Sequence, residues 1–241
     1  MSPPGRGSRP ATFFEIVQST LERVEATNRD AIAAAASIVA DSIRRDHLVH
    51  AFGSGHSQLL AMDLAGRAGG FAPVQVIYDP GQGKAETLEG YAATLLRDYV
   101  FEAGDCLIVI SNSGRNAAPI EMALLGRNAG LPVIAATSMD FSRSSASRHS
   151  SGKRLFELAD VILDLCGAPG DAALTLDGLR IGPTSTVVGS ALLHAVMAEA
   201  GARLIRSGIA PPVFLSQNVD GSREHNDRLR ERYRGRIRNP V

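Results

Sequence analysis

With 241 residues, 44% of them hydrophobic and 21% charged, the chain is long enough to bury one full α/β core and polar enough to do so in water. Basic and acidic residues balance at 25 each, and a net charge of zero argues against a general binder of nucleic acid or of an anionic membrane. No uninterrupted apolar run reaches membrane-spanning length and MSPPGRGSRP lacks the apolar stretch of a signal peptide, so a cytoplasmic protein is expected.

Residues 1–10 read as a disordered lead. Residues 11–46 carry apolar Phe14, Val17, Leu21 and Val24 at helical spacing, then an Ala-rich stretch over 31–40 that favours helix strongly. Thr27-Asn28 offers a point at which this segment divides into two helices. Beyond it, short β-rich runs alternate with helical patterns. The runs are LVHAF (48–52), VQVIY (74–78), CLIVIS (106–111), VIAATS (133–138) and VILDL (161–165). Most are apolar throughout, as in a parallel sheet covered on both faces. Helical patterns fall at 57–68, 90–102, 116–129 and 186–206, with NAGLPV a stop before the fourth strand. Cys106 lies in an apolar run and reads as a buried, reduced thiol.

Strand–helix alternation predicts a flavodoxin-like three-layer α/β/α sandwich. Its sheet has five parallel strands in the order 2-1-3-4-5, with an N-terminal helical extension. The domain is expected to span 11–210, with 166–183 as a long Gly/Pro loop inside it. The tail, 211–241, has an extended PVFLSQNV and then a charged helix. Val213, Phe214 and Leu215 would be exposed on a free tail, so it is expected to pack on a neighbouring subunit. Seven arginines between 223 and 238 read as a solvated helix face.

Two loops stand out. Gly53-Ser54-Gly55-His56-Ser57 follows the first strand, and Ser111-Asn112-Ser113-Gly114-Arg115-Asn116 follows the third. Each leads into a helix whose free N–H groups attract negative charge. In the 2-1-3-4-5 order these strands flank the point where the winding reverses, and ligands bind there. Thr184-Ser185-Thr186 opens the last long helix. One such cluster is an ordinary set of helix caps; three of them, two at the switch point, argue for a phosphate cradle. Other phosphate and nucleophile motifs fail in detail. A dinucleotide fingerprint needs Gly where Gln58 stands, although Asp79 after the second strand suits it. A hydrolase elbow needs Gly at Leu59, and SSGK at 150–153 lacks the upstream glycine of a nucleotide loop.

At Gly53-Ser-Gly-His-Ser57, Ser111-Asn-Ser-Gly-Arg-Asn116 and Thr184-Ser-Thr186 the chain resembles the sugar isomerase (SIS) domain family of phosphosugar-binding proteins. The resemblance extends over roughly 30–207. GHSQLLAMDLAGRAGGFAPV, RHSSGKRL and PPVFLSQNVDGSREHN look like a single-domain subgroup of phosphosugar isomerases. Asn116 stands where the family usually has Thr. The resemblance implies that Ser57, Ser111, Ser113, Asn116 and Ser185 contact the phosphate, with Gly55, Asn112 and Thr184 beside the substrate. It also implies a homodimer or homotetramer with shared sites.

Enzymes of this family commonly remove the proton beside the C1 carbonyl of an open-chain sugar phosphate. Isomerisation or loss of water from C3 follows, and either needs a base and an acid near C1 and C2. The candidates are Glu86 and Glu89 after the second strand, and His56 inside the first loop. His194 lies eight residues past Thr186, about 12 Å along its helix, which favours a core or interface role. His225 in SREHNDR is a candidate for a neighbour's site. His47 and His50 have no Cys or carboxylate set near them in sequence, so no metal site is expected, and no cofactor. The expected ligand is an amino-sugar or hexose 6-phosphate. The alternative is a non-catalytic sugar-phosphate sensor.

Overall fold

The structure, a computed structural model, describes residues 12–238; the expected lead at 1–10 lies outside the described residues. Helix α1 (Phe13–Arg44) opens on a capping box in which Thr12 and Glu15 bond each other's backbone N–H. It runs unbroken through Thr27-Asn28, so the division considered there does not occur. Asn28 is turned inward instead. Its Nδ2 donates to Val24 O and Asp164 O at 2.8 and 2.9 Å, and its Oδ1 accepts from Asp164 N at 2.7 Å. A side chain spent in this way on the neighbouring sheet does not compete with the helix's own bonds.

Five parallel strands follow: β1 (Val49–Gly53), β2 (Val74–Ile77), β3 (Cys106–Ile110), β4 (Val133–Thr137) and β5 (Val161–Asp164). Their order is β2-β1-β3-β4-β5, as the sequence predicts. Alternate residues face opposite layers. Val49, Ala51, Ile108, Ile110, Ile134 and Ala136 pack with α1, α2 (Ser57–Asp63) and α6 (Ser185–Arg206). Phe52, Leu107, Val109, Val133 and Ala135 pack with α3 (Tyr91–Leu95) and α4 (Ala117–Asn128). A short α5 (Met139–Arg143) follows β4. Helices α2 and α3 are shorter than the periodicity predicts. Cys106 is fully buried, and burial pushes its thiol up to about 12.

The segment 166–183 is not a plain loop. It forms an antiparallel hairpin of β6 (Ala172–Leu176) and β7 (Leu179–Pro183) around Asp177 and Gly178, both at positive φ. An Asp-Gly pair between apolar residues is a strong hairpin signal, masked here by the Gly/Pro content around it. Among the described residues α6 alone has the length and hydropathy of a membrane span. Its Val188, Leu192, Val196, Ala200 and Leu204 are buried against the sheet and α1, which makes it a core helix.

The tail packs on its own chain. Phe214 exchanges backbone bonds with Gly69 and Gly70, Ala72 N donates to Pro212 O, and Val213 bridges Phe71. Helix α7 (Ser222–Arg232) is followed by Tyr233, which is buried with Leu48 and Ala72. Gln75 on β2 then pairs with the backbone of Arg238. Val213 and Phe214 thus pair in cis with the segment that leads into β2, while Leu215 stays 42% exposed.

Candidate functional site

Parallel register places Gly53 opposite Ile110, so the loops after β1 and β3 open side by side at the carboxyl end of the sheet. Gly55 has φ +58° and Gly114 φ +58°, conformations that L side chains rarely adopt. A Cβ on Gly114 would also meet Ser142 Oγ and Thr137 Oγ1 at 2.8 Å. The loop after β2 closes the crevice from the other side. There a Cβ on Gly83 would lie 2.9 Å from Gly55 Cα, so the two loops touch backbone to backbone. Helix α6 reaches α2 at Gly189, where a Cβ would strike Leu60 at 2.6 Å.

Asp79, directly after β2, organises this region. It is wholly buried and accepts from Ser54 Oγ (2.6 Å), Tyr91 OH, Gly81 N (2.8 Å) and Gly83 N (2.9 Å). Its own N–H donates to Gln58 Oε1. Burial by itself would raise its pKa, but these four donors together hold it below the ordinary carboxylate value. Asp79 thus fixes the first loop through Ser54 and the second through Gly81 and Gly83. Sequence reasoning noted it only for a dinucleotide motif, placed Ser54 in the first loop without a partner, and gave Tyr91 no role.

The predicted residues divide into groups. Glu86 is half-buried and accepts from Asn116 Nδ2 at 2.7 Å, while Arg148 Nη1 donates to Asn116 Oδ1 at 3.2 Å. Burial raises the Glu86 carboxyl, the Asp79 charge raises it further, and Arg148 and Asn116 pull it down without cancelling the rise. Glu89 is exposed and accepts from the hydroxyl and backbone N–H of Ser150, which lower its pKa. The two glutamates therefore have opposite environments. His56 and Ser57 stand at the mouth of the first loop, His56 exposed. Ser113 and Asn112 are half-buried in the second, where Asn112 Oδ1 has no hydrogen-bond partner among the described residues.

Four of the candidate side chains have partners within the chain. Ser111 faces inward, its Oγ accepting from Gly114 N at 3.2 Å to shape the loop. Ser185 Oγ donates to Asp171 Oδ2 at 2.6 Å, and Asp171 Oδ1 accepts from Ser185 N and Thr184 N. A carboxylate of the chain's own hairpin thus occupies the α6 N-terminus where a phosphate was expected, the same dipole attracting either anion. His194 (37% side-chain exposure) bonds Asp63 at 2.8 Å on the α2–α6 seam, alongside Ser190 and Arg67, and no bond joins it to Glu86. His225 Nε2 lies 2.9 Å from the carbonyl of Val213 within the tail.

A doubly wound sheet with two glycine-hydroxyl loops at its switch point defines an α/β domain with a crevice at the carboxyl ends of the strands, where such folds commonly bind ligands. The sequence profile of the SIS domain matches residues 12–138, and the chain belongs to that family. A UPF0309 protein of Listeria monocytogenes is 42% identical over 228 residues, 94% of this chain and 97% of that one. A UPF0309 protein of Streptomyces coelicolor is 42% identical over 238 residues, 93% and 95% of the two chains. Among solved structures, phosphoheptose isomerase GmhA from Neisseria gonorrhoeae superposes with TM-score 0.55 at 19% identity, covering 78% of this chain and 95% of that one. The NanR protein of Vibrio vulnificus, complexed with ManNAc-6P, superposes with TM-score 0.52 at 18% identity, covering 91% and 65%. At such identities the likeness is one of fold.

Proposed function

We propose that the protein is a phosphosugar enzyme that binds an open-chain amino-sugar or hexose 6-phosphate in this crevice and removes the proton from C2. The observation that carries this reading is Glu86, a half-buried carboxyl of raised pKa bonded through Asn116 to the Ser111–Asn116 loop. A base of raised pKa beside a phosphate-type loop suits abstraction of a weakly acidic C–H. Ser57, Ser113 and the loop backbones would hold the phosphate, and Asn112 Oδ1 would accept from a sugar hydroxyl. His56 would pass a proton to or from the C1 oxygen. Return of a proton at C1 gives the ketose; loss of the C3 hydroxyl as water gives elimination. Glu89, exposed and lowered, fits the base role less well than Glu86. The ligand named with the Vibrio structure supports an amino-sugar phosphate as the first class to assay.

Hexose and amino-sugar 6-phosphates are incubated with the protein in heavy water, and deuterium at C2 is followed by NMR. The wild type is expected to exchange at least one of them. Glu86→Gln keeps shape and binding but loses exchange, and Glu89→Gln retains it. Binding of every sugar phosphate without exchange of any would replace the enzyme with a non-catalytic sensor, and binding of none would remove the phosphosugar reading.

A further inference from the structure

The amino-terminal end of the sheet, opposite the crevice, holds a second group of titratable side chains. His47 follows α1, His50 is on β1, and Glu102 and Asp105 belong to the turn before β3. Asp105 is wholly buried. Its Oδ1 accepts from Leu48 N at 2.8 Å, and its Oδ2 accepts from Glu102 N and pairs with His50 Nε2, both at 2.9 Å. One lone pair on Oδ1 is left over. Facing it at 3.6 Å is His47 Nδ1, buried and without a hydrogen-bond partner among the described residues. That separation is too long for a hydrogen bond. An oxygen of the exposed Glu102 completes a set of three donor atoms lying within 4.8 Å of one another. The His47 ring is locked in place, because Gly104 (φ +104°) packs on it so closely that a Cβ there would meet the imidazole at 2.4 Å. The carboxylates that face His47 are thus supplied by the turn before β3.

We propose that His47 Nδ1, Asp105 Oδ1 and Glu102 form a divalent-cation site of zinc type. Tetrahedral donors bound at about 2.0–2.2 Å stand about 3.3–3.6 Å apart, which matches the observed Nδ1–Oδ1 separation. One imidazole with two carboxylates is a borderline donor set that suits zinc, and water would complete the tetrahedron. Asp105 also has the outer partners that orient a metal-bound carboxylate: two backbone N–H groups and the His50 ring. The five residues of β1 separate this site from the crevice by about 17 Å, so the cation takes no part in sugar chemistry. It would clip the turn between α1 and β1 to the turn that starts β3.

Zinc chloride is titrated calorimetrically into full-length protein freed of metal with a chelator, and thermal unfolding is followed in parallel. One zinc is expected per chain, with Tm raised by about 5–10 °C at a hundredfold excess of free zinc over Kd. His47→Ala and Glu102→Ala should each weaken binding by about tenfold or more. Glu102 is exposed, so its variant folds and decides the matter if His47→Ala does not. Absence of zinc binding, or zinc binding of wild-type strength in Glu102→Ala, would overturn the proposal.

Discussion

Asp79→Asn probes the stability of the crevice and the tuning of its base in one substitution. The wild-type carboxylate satisfies four donors while wholly buried: Ser54 Oγ and Gly83 N at Oδ2, Tyr91 OH and Gly81 N at Oδ1. An amide keeps one acceptor oxygen and presents N–H groups to the other two donors. The Ser54 hydroxyl can turn and accept, but the Gly83 N–H cannot. Between one and two bonds to a charged acceptor are therefore lost, each worth about 1.5–3 kcal/mol, for a total of about 2–5 kcal/mol. Because the folded-state pKa of Asp79 is lowered, its contribution is complete above the unfolded value of about 3.9 and fades as pH falls through the folded value. Urea unfolding should show the full gap between wild type and variant at pH 7 and a smaller one at pH 3. The Asp79 charge also raises Glu86, so the variant's Glu86 should ionise at lower pH and the acid limb of C2 exchange should move down. A gap below about 1 kcal/mol at pH 7, or one that does not shrink in acid, would refute the role assigned to Asp79; an unmoved acid limb would refute its coupling to Glu86.

Ser57→Ala and Ser113→Ala each remove a hydroxyl from the proposed cradle, and loss of a bond to a charged group at about 1.5–3 kcal/mol corresponds to roughly 10–150-fold weaker sugar-phosphate binding. Calorimetry with a sugar and its 6-phosphate checks this, since equal affinity for the two would mean the loops hold no phosphate. Ending the chain after Pro211 uncovers Leu48, Ala72 and the edge of β2 and deletes buried Tyr233. Thermal unfolding should then fall by about 10 °C or more, and an unchanged midpoint would show that the tail's packing in cis stabilises nothing.

Much of the molecule was legible in the linear pattern. Continuous apolar runs of four to six residues separated by helical periods specify a covered parallel sheet, because a strand buried on both faces has no polar side to alternate. Placing Gly-Ser loops after the first and third runs then locates the crevice, since a 2-1-3-4-5 order puts its switch point between those strands. Gly55 and Gly114 belong to those loops, and the structure shows why glycine stands there, since both adopt φ +58°.

What the sequence left open depended on which polar group meets which. Ser185 and Ser111 have the residue type of phosphate donors, yet one is held by Asp171 from the hairpin and the other by Gly114 of its own loop. Glu86 and Glu89 are three residues apart in one segment, and only burial with the nearby Asp79 charge at the first, against the Ser150 bonds to the second, drives their pKa values in opposite directions. His47 and Asp105 lie 58 positions apart in the chain, with β1 and β2 between them, and they meet because β1 and β3 are neighbours in the sheet. Secondary structure follows from local sterics and the period of apolar residues, both written along the chain. The partner of a buried polar atom is chosen by packing between distant segments, and only the tertiary structure decides it.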